Sequence, residues 1–265
     1  MWTAGATAGA LLQVPGMDAA ILARPVPVDL DGDGWHDRIY AADVAGRIWR
    51  LDLVNGAERE RWANARMLAD LSGGGIRGFL TAPDIALHDA HGQNPWLSIS
   101  LGSVSLEGQP EENRFYVLRD SVENTARDDE RLRDYFVTLG AGQVLAPSLT
   151  IGGNVVFTVA QMTTRQVGGC AAIAEGRAAR IEVHAIAAHD GTPALDLNVD
   201  GTVNEQDAIL SLEGARPADS ALHMASKDDA DRPGQRNCLV GNDPIPGCTL
   251  DTRLRRRYWL REDAD

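Results

Sequence analysis

Four aspartates lie within nine residues in the segment DLDGDGWHD, which spans 29–37. Carboxylates at alternate positions can surround one hard cation, and a glycine at the sixth position allows the sharp turn that calcium loops need. Without a cation, carboxylates this closely spaced would repel one another. The alternative is a hydrated acidic turn that binds no ion. The predicted Ca²⁺ ligands of this first acidic loop are Asp29, Asp31, Asp33, the carbonyl of Trp35, and Asp37.

A second acidic loop, DLNVDGTVNEQD at 196–207, fits the twelve-position pattern of an EF-hand. Its predicted Ca²⁺ ligands are Asp196, Asn198, Asp200, the carbonyl of Thr202, and Asp207. It offers three carboxylates against four in the first acidic loop, so we expect weaker binding. Together with a following helix, it predicts an EF-hand-like or dockerin-like insertion over 196–212. A hydrated turn that binds nothing is again the alternative.

The segments between these loops have the pattern of short strands. Glycine accounts for 27 of the 265 residues and separates short β-branched or aromatic runs, which is typical of strands joined by turns. Antiparallel strands are predicted within 37–53, 113–121, 142–161 and 179–191, with a hairpin turn at 152–154. Helices are predicted at 56–71 and 204–212, and a mobile loop at 216–237.

This pattern predicts an all-β fold over 1–265, as a single domain. Strand and turn units with a glycine in the turn and an aromatic residue in the next strand are typical of propeller blades. No fixed-period repeat is present. We therefore predict a divergent or partial β-propeller with helical and loop insertions and with calcium-binding loops.

Composition and charge exclude several classes of function. The net charge of −13 disfavours nucleic acid as a partner, because phosphate binding needs a basic face. No apolar run approaches the roughly 20 residues of a membrane-spanning helix, so no transmembrane segment is predicted. The first 23 residues contain no lysine or arginine, so we predict no signal peptide in this chain.

The chain has three cysteines, which are too few for a disulfide scaffold. Cys238 and Cys248 lie on either side of a stretch rich in glycine and proline, which could bring the two sulfur atoms together. As a disulfide, the pair would stabilise the fold by about 2–3 kcal/mol. Three buried reduced thiols are an equally open interpretation. Cys170 has no predicted partner.

The first acidic loop and the strands after it, VDLDGDGWHDRIYAADVAGRIWRLDL at 28–53, resemble a known family. They are similar to the C-terminal β-propeller of the PilY/PilC-type proteins associated with the tip of the type IV pilus. The matching residues after the loop are Asp37, Arg38, Tyr40, Ala41, Asp43, Gly46, Trp49, Arg50, Asp52 and Leu53. Weaker similarity continues at 81–87, 113–121 and 152–158, around Cys170, and at 255–263.

This resemblance implies a calcium-dependent protein of the type IV pilus rather than an enzyme. The chain would be the C-terminal part of a larger propeller, and the ligands of the first acidic loop carry over as its calcium site. Calcium occupancy would regulate pilus extension against retraction, twitching motility and adhesion. The implied partners are minor pilins and a host-cell surface ligand. The implied location is the cell surface or pilus tip, or the periplasm and outer membrane.

Two other classes of propeller are weaker alternatives. An integrin-like FG-GAP propeller uses such loops only as structural elements, but it would need one aspartate loop per blade. The other loop here differs in type and begins 167 residues later, since 196 − 29 = 167. A quinoprotein dehydrogenase also holds calcium in a propeller, but the first acidic loop would leave few coordination positions open for a quinone.

Overall fold

The computed structural model describes residues 14–54, 56, 62–72, 77–88, 95–105, 112–122, 134–165, 175–213, 220–224, 235–240 and 243–251. In these ranges short antiparallel strands predominate, and the helical structure is one 3₁₀ turn at Glu205–Asp207. None of the described segments forms a helix that is both long and apolar enough to cross a membrane. The predicted all-β class is confirmed.

The first sheet is a four-stranded antiparallel meander in which each strand pairs with the next one in sequence. Its strands are β1 (Val26–Val28), β2 (Arg38–Ala42), β3 (Arg47–Leu53) and β4 (Ala63–Asp70). The first acidic loop joins β1 to β2, because Val28 pairs with Arg38 on either side of it. The turn between β2 and β3 is closed by the Asp43 carboxylate, which accepts hydrogen bonds from the Arg47 backbone N–H at 3.0 Å and the Trp49 indole at 2.9 Å.

Three further sheets follow along the chain, and β5 (Arg77–Gly78) and β8 (Val104–Ser105) form a separate two-stranded sheet. The second sheet contains β6 (Asp84–His88), β7 (Trp96–Gly102), β9 (Asn113–Ser121) and β10 (Tyr135–Gly140). The third contains β11 (Leu149–Ile151), β12 (Asn154–Arg165), β13 (Glu175–Ala187) and β14 (Leu210–Glu213). The fourth has three strands, β15 (Ser220–Met224), β16 (Gln235–Val240) and β17 (Asp243–Asp251).

Consecutive sheets pack face to face, and strand β9 shows why. Successive side chains of a strand point to opposite faces. Tyr116 and Leu118 therefore join the core between the first and second sheets, whereas Phe115 and Val117 join the core between the second and third. Phe115 stacks on Phe157 of β12 with ring centroids 3.7 Å apart. A strand buried on both faces is what a middle blade of a propeller requires.

The third core lies between the third and fourth sheets. It contains Leu195 and Leu197, which flank the start of the second acidic loop, together with Cys238 and Cys248. These two cysteines form a disulfide with Cα atoms 5.5 Å apart. Of the two interpretations that the spacing left open, the structure shows the disulfide. Sheets stacked in chain order confirm the predicted partial propeller architecture.

The helix predicted at 56–71 is wrong where the structure describes it. Residues Ala63–Asp70 form strand β4, which pairs with β3 through, for example, Trp49 and Met67. The backbone of β3 needs a partner on its second edge, and this pairing buries Ala63 and Leu68. Tertiary pairing thus overrides the local preference for a helix.

The two other predicted departures from strand structure also need correction. In place of a helix over 204–212, a 3₁₀ turn capped by Asn204 is followed by strand β14, whose Leu212 pairs with Ile181 of β13. Within the loop predicted at 216–237, the structure places strand β15 and the start of β16. Cys170 and the end segment 255–263 lie outside the described residues.

Candidate metal sites

The first acidic loop brings three of its four aspartates together. Carboxylate oxygens of Asp29, Asp31 and Asp37 all lie within 4.8 Å of one another. Calcium binds oxygen ligands at about 2.3–2.6 Å, so oxygens separated by up to twice that distance can share one ion. Within the described ranges, these three aspartates are the set of aspartate, glutamate, histidine or cysteine side chains whose spacing suits a metal ion.

Backbone hydrogen bonds hold these carboxylates in place. The Asp29 carboxylate accepts from the N–H groups of Gly32 at 2.7 Å and Gly34 at 2.9 Å. Both glycines have positive φ angles, +77° and +92°, which other residues rarely adopt. The Gly34 N–H is the main reason that the pKa of Asp29 lies below its usual range. Asp29 is therefore ionised at neutral pH, as a cation ligand must be.

Asp33 and Trp35 occupy other positions in the loop. Asp33 is outside the group of three, and its carboxylate accepts a hydrogen bond from the Trp35 N–H at 2.7 Å. The Trp35 side chain is 67% exposed and projects from the loop. The predicted roles of the Asp33 carboxylate and the Trp35 carbonyl as ligands stay predictions.

Asp37 connects the loop to the first sheet. Its carboxylate accepts from the Leu30 N–H at 2.6 Å, while its backbone N–H donates to the Val28 carbonyl at 2.8 Å. Its own carbonyl accepts from the Leu53 N–H at 2.7 Å. One residue thus touches the loop, β1 and β3, so an ion bound by the Asp37 side chain would act on the sheet directly.

Arg38 connects the end of the loop to the second sheet. Its side chain is buried, and its guanidinium donates to the carbonyls of Ser121 at 2.7 Å and Val122 at 2.6 Å. Ser121 is the last residue of strand β9, and Val122 follows it directly. The residue that follows the predicted ligand Asp37 is therefore fixed to the neighbouring blade.

Asp120 forms the centre of a buried polar network beneath the loop. Its carboxylate accepts from the Tyr40 hydroxyl at 2.7 Å and from the Arg50 guanidinium at 2.8 Å, and Arg38 lies 3.5 Å away. Arg50 also bonds to Asp52 at 2.7 Å. Burial, together with the adjacent Asp120 charge, raises the pKa of Tyr40. The sequence pattern singled out the residues on β2 and β3 but not Asp120, which lies in another sheet.

The second acidic loop is folded by a similar set of backbone bonds. The Asp196 carboxylate accepts from the N–H groups of Asp200 at 3.1 Å and Gly201 at 2.8 Å. The Asp200 carboxylate accepts from the Thr202 hydroxyl at 2.7 Å, which is the main reason that its pKa lies below the usual range. The side-chain amide of Asn198 donates to Asp200 at 3.1 Å.

The last predicted ligand of this loop, Asp207, is fully buried. Its two oxygens accept from the backbone N–H groups of Asn198 at 3.0 Å and Asn204 at 2.9 Å. Asp207 therefore braces both ends of the loop. Among the described residues, the carboxylates of Asp196, Asp200 and Asp207 do not come as close together as those of the first acidic loop.

Comparison with known proteins identifies the fold. No protein-family model and no curated protein matches the chain. Among solved structures, the crystal structure of the Pseudomonas aeruginosa PilY1 C-terminal domain matches with a TM-score of 0.55 and 13% sequence identity, over 84% of this chain and 60% of that one. The chain thus spans 60% of the length of that domain. The propeller likeness indicated by residues 28–53 is confirmed, and the chain has a fold similar to that of the PilY1 C-terminal domain.

Proposed function

We propose that this protein is a calcium-binding, non-enzymatic propeller domain of a type IV pilus-associated protein. The observation that supports this most directly is the group formed by Asp29, Asp31 and Asp37, at the junction of two strands in a PilY1-like fold. Calcium is the cation whose chemistry suits a short, flexible loop of carboxylate and carbonyl oxygens. The proposed location is the cell surface or the periplasm, with minor pilins and a surface ligand as partners.

The proposed role of calcium is to change the stability of the first blade and of its contact with the second. An empty loop leaves like charges close together, and an ion removes their repulsion. Asp37 is hydrogen-bonded to β1 and β3, and Arg38 is hydrogen-bonded to the end of β9. The loss of charge repulsion in the loop would therefore affect the stability of these strands. A difference of 1–2 kcal/mol is enough to shift a two-state equilibrium by about 5–30-fold. Such a shift could modulate pilus extension against retraction, twitching motility and adhesion.

Titration calorimetry tests the metal site. We expect Ca²⁺ to bind the intact chain and Asp31→Ala to remove the tighter binding step. At a ligand concentration 100-fold above the dissociation constant, binding should stabilise the fold by about 2.7 kcal/mol. Asp190→Ala is a matched control, because Asp190 is an acid that accepts hydrogen bonds within a short turn outside both loops. Identical titrations for Asp31→Ala and the unchanged chain would contradict the proposal.

Function can be tested with the same variant in the complete protein. Asp31→Ala should change surface piliation or twitching while the protein remains at its normal level. Asp31→Lys supplies a positive charge inside the loop and should partly restore the calcium-loaded behaviour. Normal motility and adhesion in both variants, with calcium binding lost in Asp31→Ala, would show that the ion is purely structural, as in an FG-GAP propeller.

A further inference from the structure

A cleft of about 260 Å³ opens between the first and second sheets, away from both acidic loops. Its wall on the first sheet is the end of β4 with Asp70, and the opposite wall consists of residues on β9 and β10. The side chains that matter there are Arg114, Tyr116, Asp134, Tyr135 and Phe136. This volume lies just below the range of pockets for drug-sized ligands, which begins at about 300 Å³, so the cleft suits a smaller molecule.

The cleft contains polar groups that the described residues leave without partners. The Tyr116 hydroxyl is buried, in a residue only 4% exposed, and has no hydrogen-bond partner in the part of the chain that the structure describes. The Nε atom of Arg114 is also buried without a partner. A buried polar group without a hydrogen bond costs about 1–3 kcal/mol, so such groups are uncommon in folded proteins. Neither atom is accessible as the structure stands, so a ligand in the cleft would reach them, and remove this cost, only when a neighbouring side chain moves aside.

Aromatic rings form the rest of the wall. The Arg114 guanidinium lies over the Phe136 ring at 4.2 Å from its centroid, and the Phe136 side chain is 47% exposed. The Tyr116 ring lies 5.9 Å from the same ring. Tyr135 also borders the cleft, but its ring packs in the core between the second and third sheets, and its hydroxyl donates to the Ala187 carbonyl at 2.7 Å. The cleft therefore combines an accessible apolar ring face with unsatisfied donors.

The charges indicate which ligand fits. Asp70 lines the cleft with one oxygen bonded to Ser72, and Asp134 adds a second carboxylate, so an anion would be repelled. A hydroxyl group both donates and accepts, so it can serve an aspartate, an arginine and a tyrosine at once. We propose that this cleft binds a neutral carbohydrate of hexose size, with its C–H face on Phe136 and its hydroxyls on Arg114, Tyr116 and Asp70. This proposal does not depend on calcium.

Two tyrosine variants make a matched test. Tyr116→Phe removes the hydroxyl without a partner, whereas Tyr135→Phe removes one that is already hydrogen-bonded to the fold. Binding of glucose, galactose and mannose to the intact chain should be followed by saturation-transfer NMR, with and without Ca²⁺. We expect at least one hexose to bind, Tyr116→Phe to weaken it about tenfold, and Tyr135→Phe to leave it unchanged.

A stability measurement separates binding from folding. Tyr116→Phe should unfold at the same or a higher urea concentration than the intact chain, because it removes an unsatisfied buried hydroxyl. Weaker binding with unimpaired stability would support the site. Three outcomes would overturn it: no saturation transfer from any hexose at millimolar concentration, equal binding by both variants and the intact chain, or tighter binding of glucuronate than of the neutral hexoses.

Discussion

Gly247 lies directly against the backbone of Asp196. A Cβ atom at position 247 would stand 2.6 Å from the Asp196 carbonyl oxygen and 2.9 Å from its nitrogen. The φ angle of Gly247 is +68°, and the next residue, Cys248, is bonded to Cys238. The segment closed by the Cys238–Cys248 disulfide therefore packs against Asp196, the first predicted ligand of the second acidic loop. No side chain larger than the hydrogen atom of glycine fits between the two backbones.

Gly247→Ala should destabilise the fold and weaken the second acidic loop. Gly153→Ala is the control, because Gly153 also has a positive φ angle, +85°, but has nothing within 4 Å of its Cβ position. Backbone strain is common to both variants, and overpacking should add about 1–3 kcal/mol in Gly247→Ala alone. Urea unfolding measures the difference. Equal midpoints for the two variants would show that the disulfide-closed segment can move away from Asp196 without cost.

Asp200→Ala should remove one calcium-binding step and leave the other intact. The side chain of Asp200 is exposed and interacts mainly with Thr202 and Asn198 inside the loop, so the variant should fold normally. Calorimetry should then show a stoichiometry lower by one and an unchanged tighter step. An unchanged stoichiometry would mean that the second acidic loop is a hydrated turn.

Asp120→Ala should be the most destabilising single change in the network below the first acidic loop. It leaves Arg50 buried with part of its charge uncompensated, and removing one partner of a buried ion pair costs about 3–5 kcal/mol. Tyr40→Phe removes one hydrogen bond to the same carboxylate and should cost only about 1 kcal/mol. Urea unfolding of both variants gives the comparison. A similar small loss for both would contradict the central role of Asp120.

Protonation of His184 should lower the free energy of unfolding in mild acid. Burial lowers its pKa to about 4, against the opposing charge of Glu182, and its ring stacks on Phe157. The folded state binds the proton less readily than the unfolded state, whose histidine titrates near 6.5. The contribution of His184 is therefore complete above about pH 6.5 and is lost as the pH falls towards 4, by at most about 3 kcal/mol.

The variant His184→Gln should flatten this part of the stability profile, measured by urea unfolding between about pH 7.5 and about pH 4.5. His189→Gln is the control, because the His189 side chain is 69% exposed. Carboxylates also titrate near the lower limit, so the comparison is between the two variants at each pH. Parallel profiles for both would refute the assignment to His184.

Features that depend on local sequence were predictable. The run at 113–121 coincides with strand β9, and the hairpin turn predicted at 152–154 lies between β11 and β12, where Gly152 and Gly153 both have positive φ angles. The spacing of the aspartates at 29–37 likewise predicted which side chains converge, apart from Asp33. In each case the determinant lies within a few neighbouring residues.

Features that depend on distant partners were not predictable. Strand β4 is amphipathic enough to suggest a helix, and only its pairing with β3 selects the extended form. Asp120 is 70 residues from Arg50 and 80 from Tyr40, so no local pattern connects them. The contact between Gly247 and Asp196 is similarly remote. Each arises because whole sheets stack, which a local hydrophobic pattern does not specify.

The bonds from Arg38 to the end of β9 have a mechanical consequence. A pull on the first acidic loop is resisted at Asp37 by two backbone hydrogen bonds within the first sheet, and at Arg38 by two charge-assisted bonds to the carbonyls of Ser121 and Val122. Tension applied at the loop is therefore divided between two blades. Separating strand β2 from its sheet therefore also requires breaking the two hydrogen bonds from Arg38 to the adjoining blade.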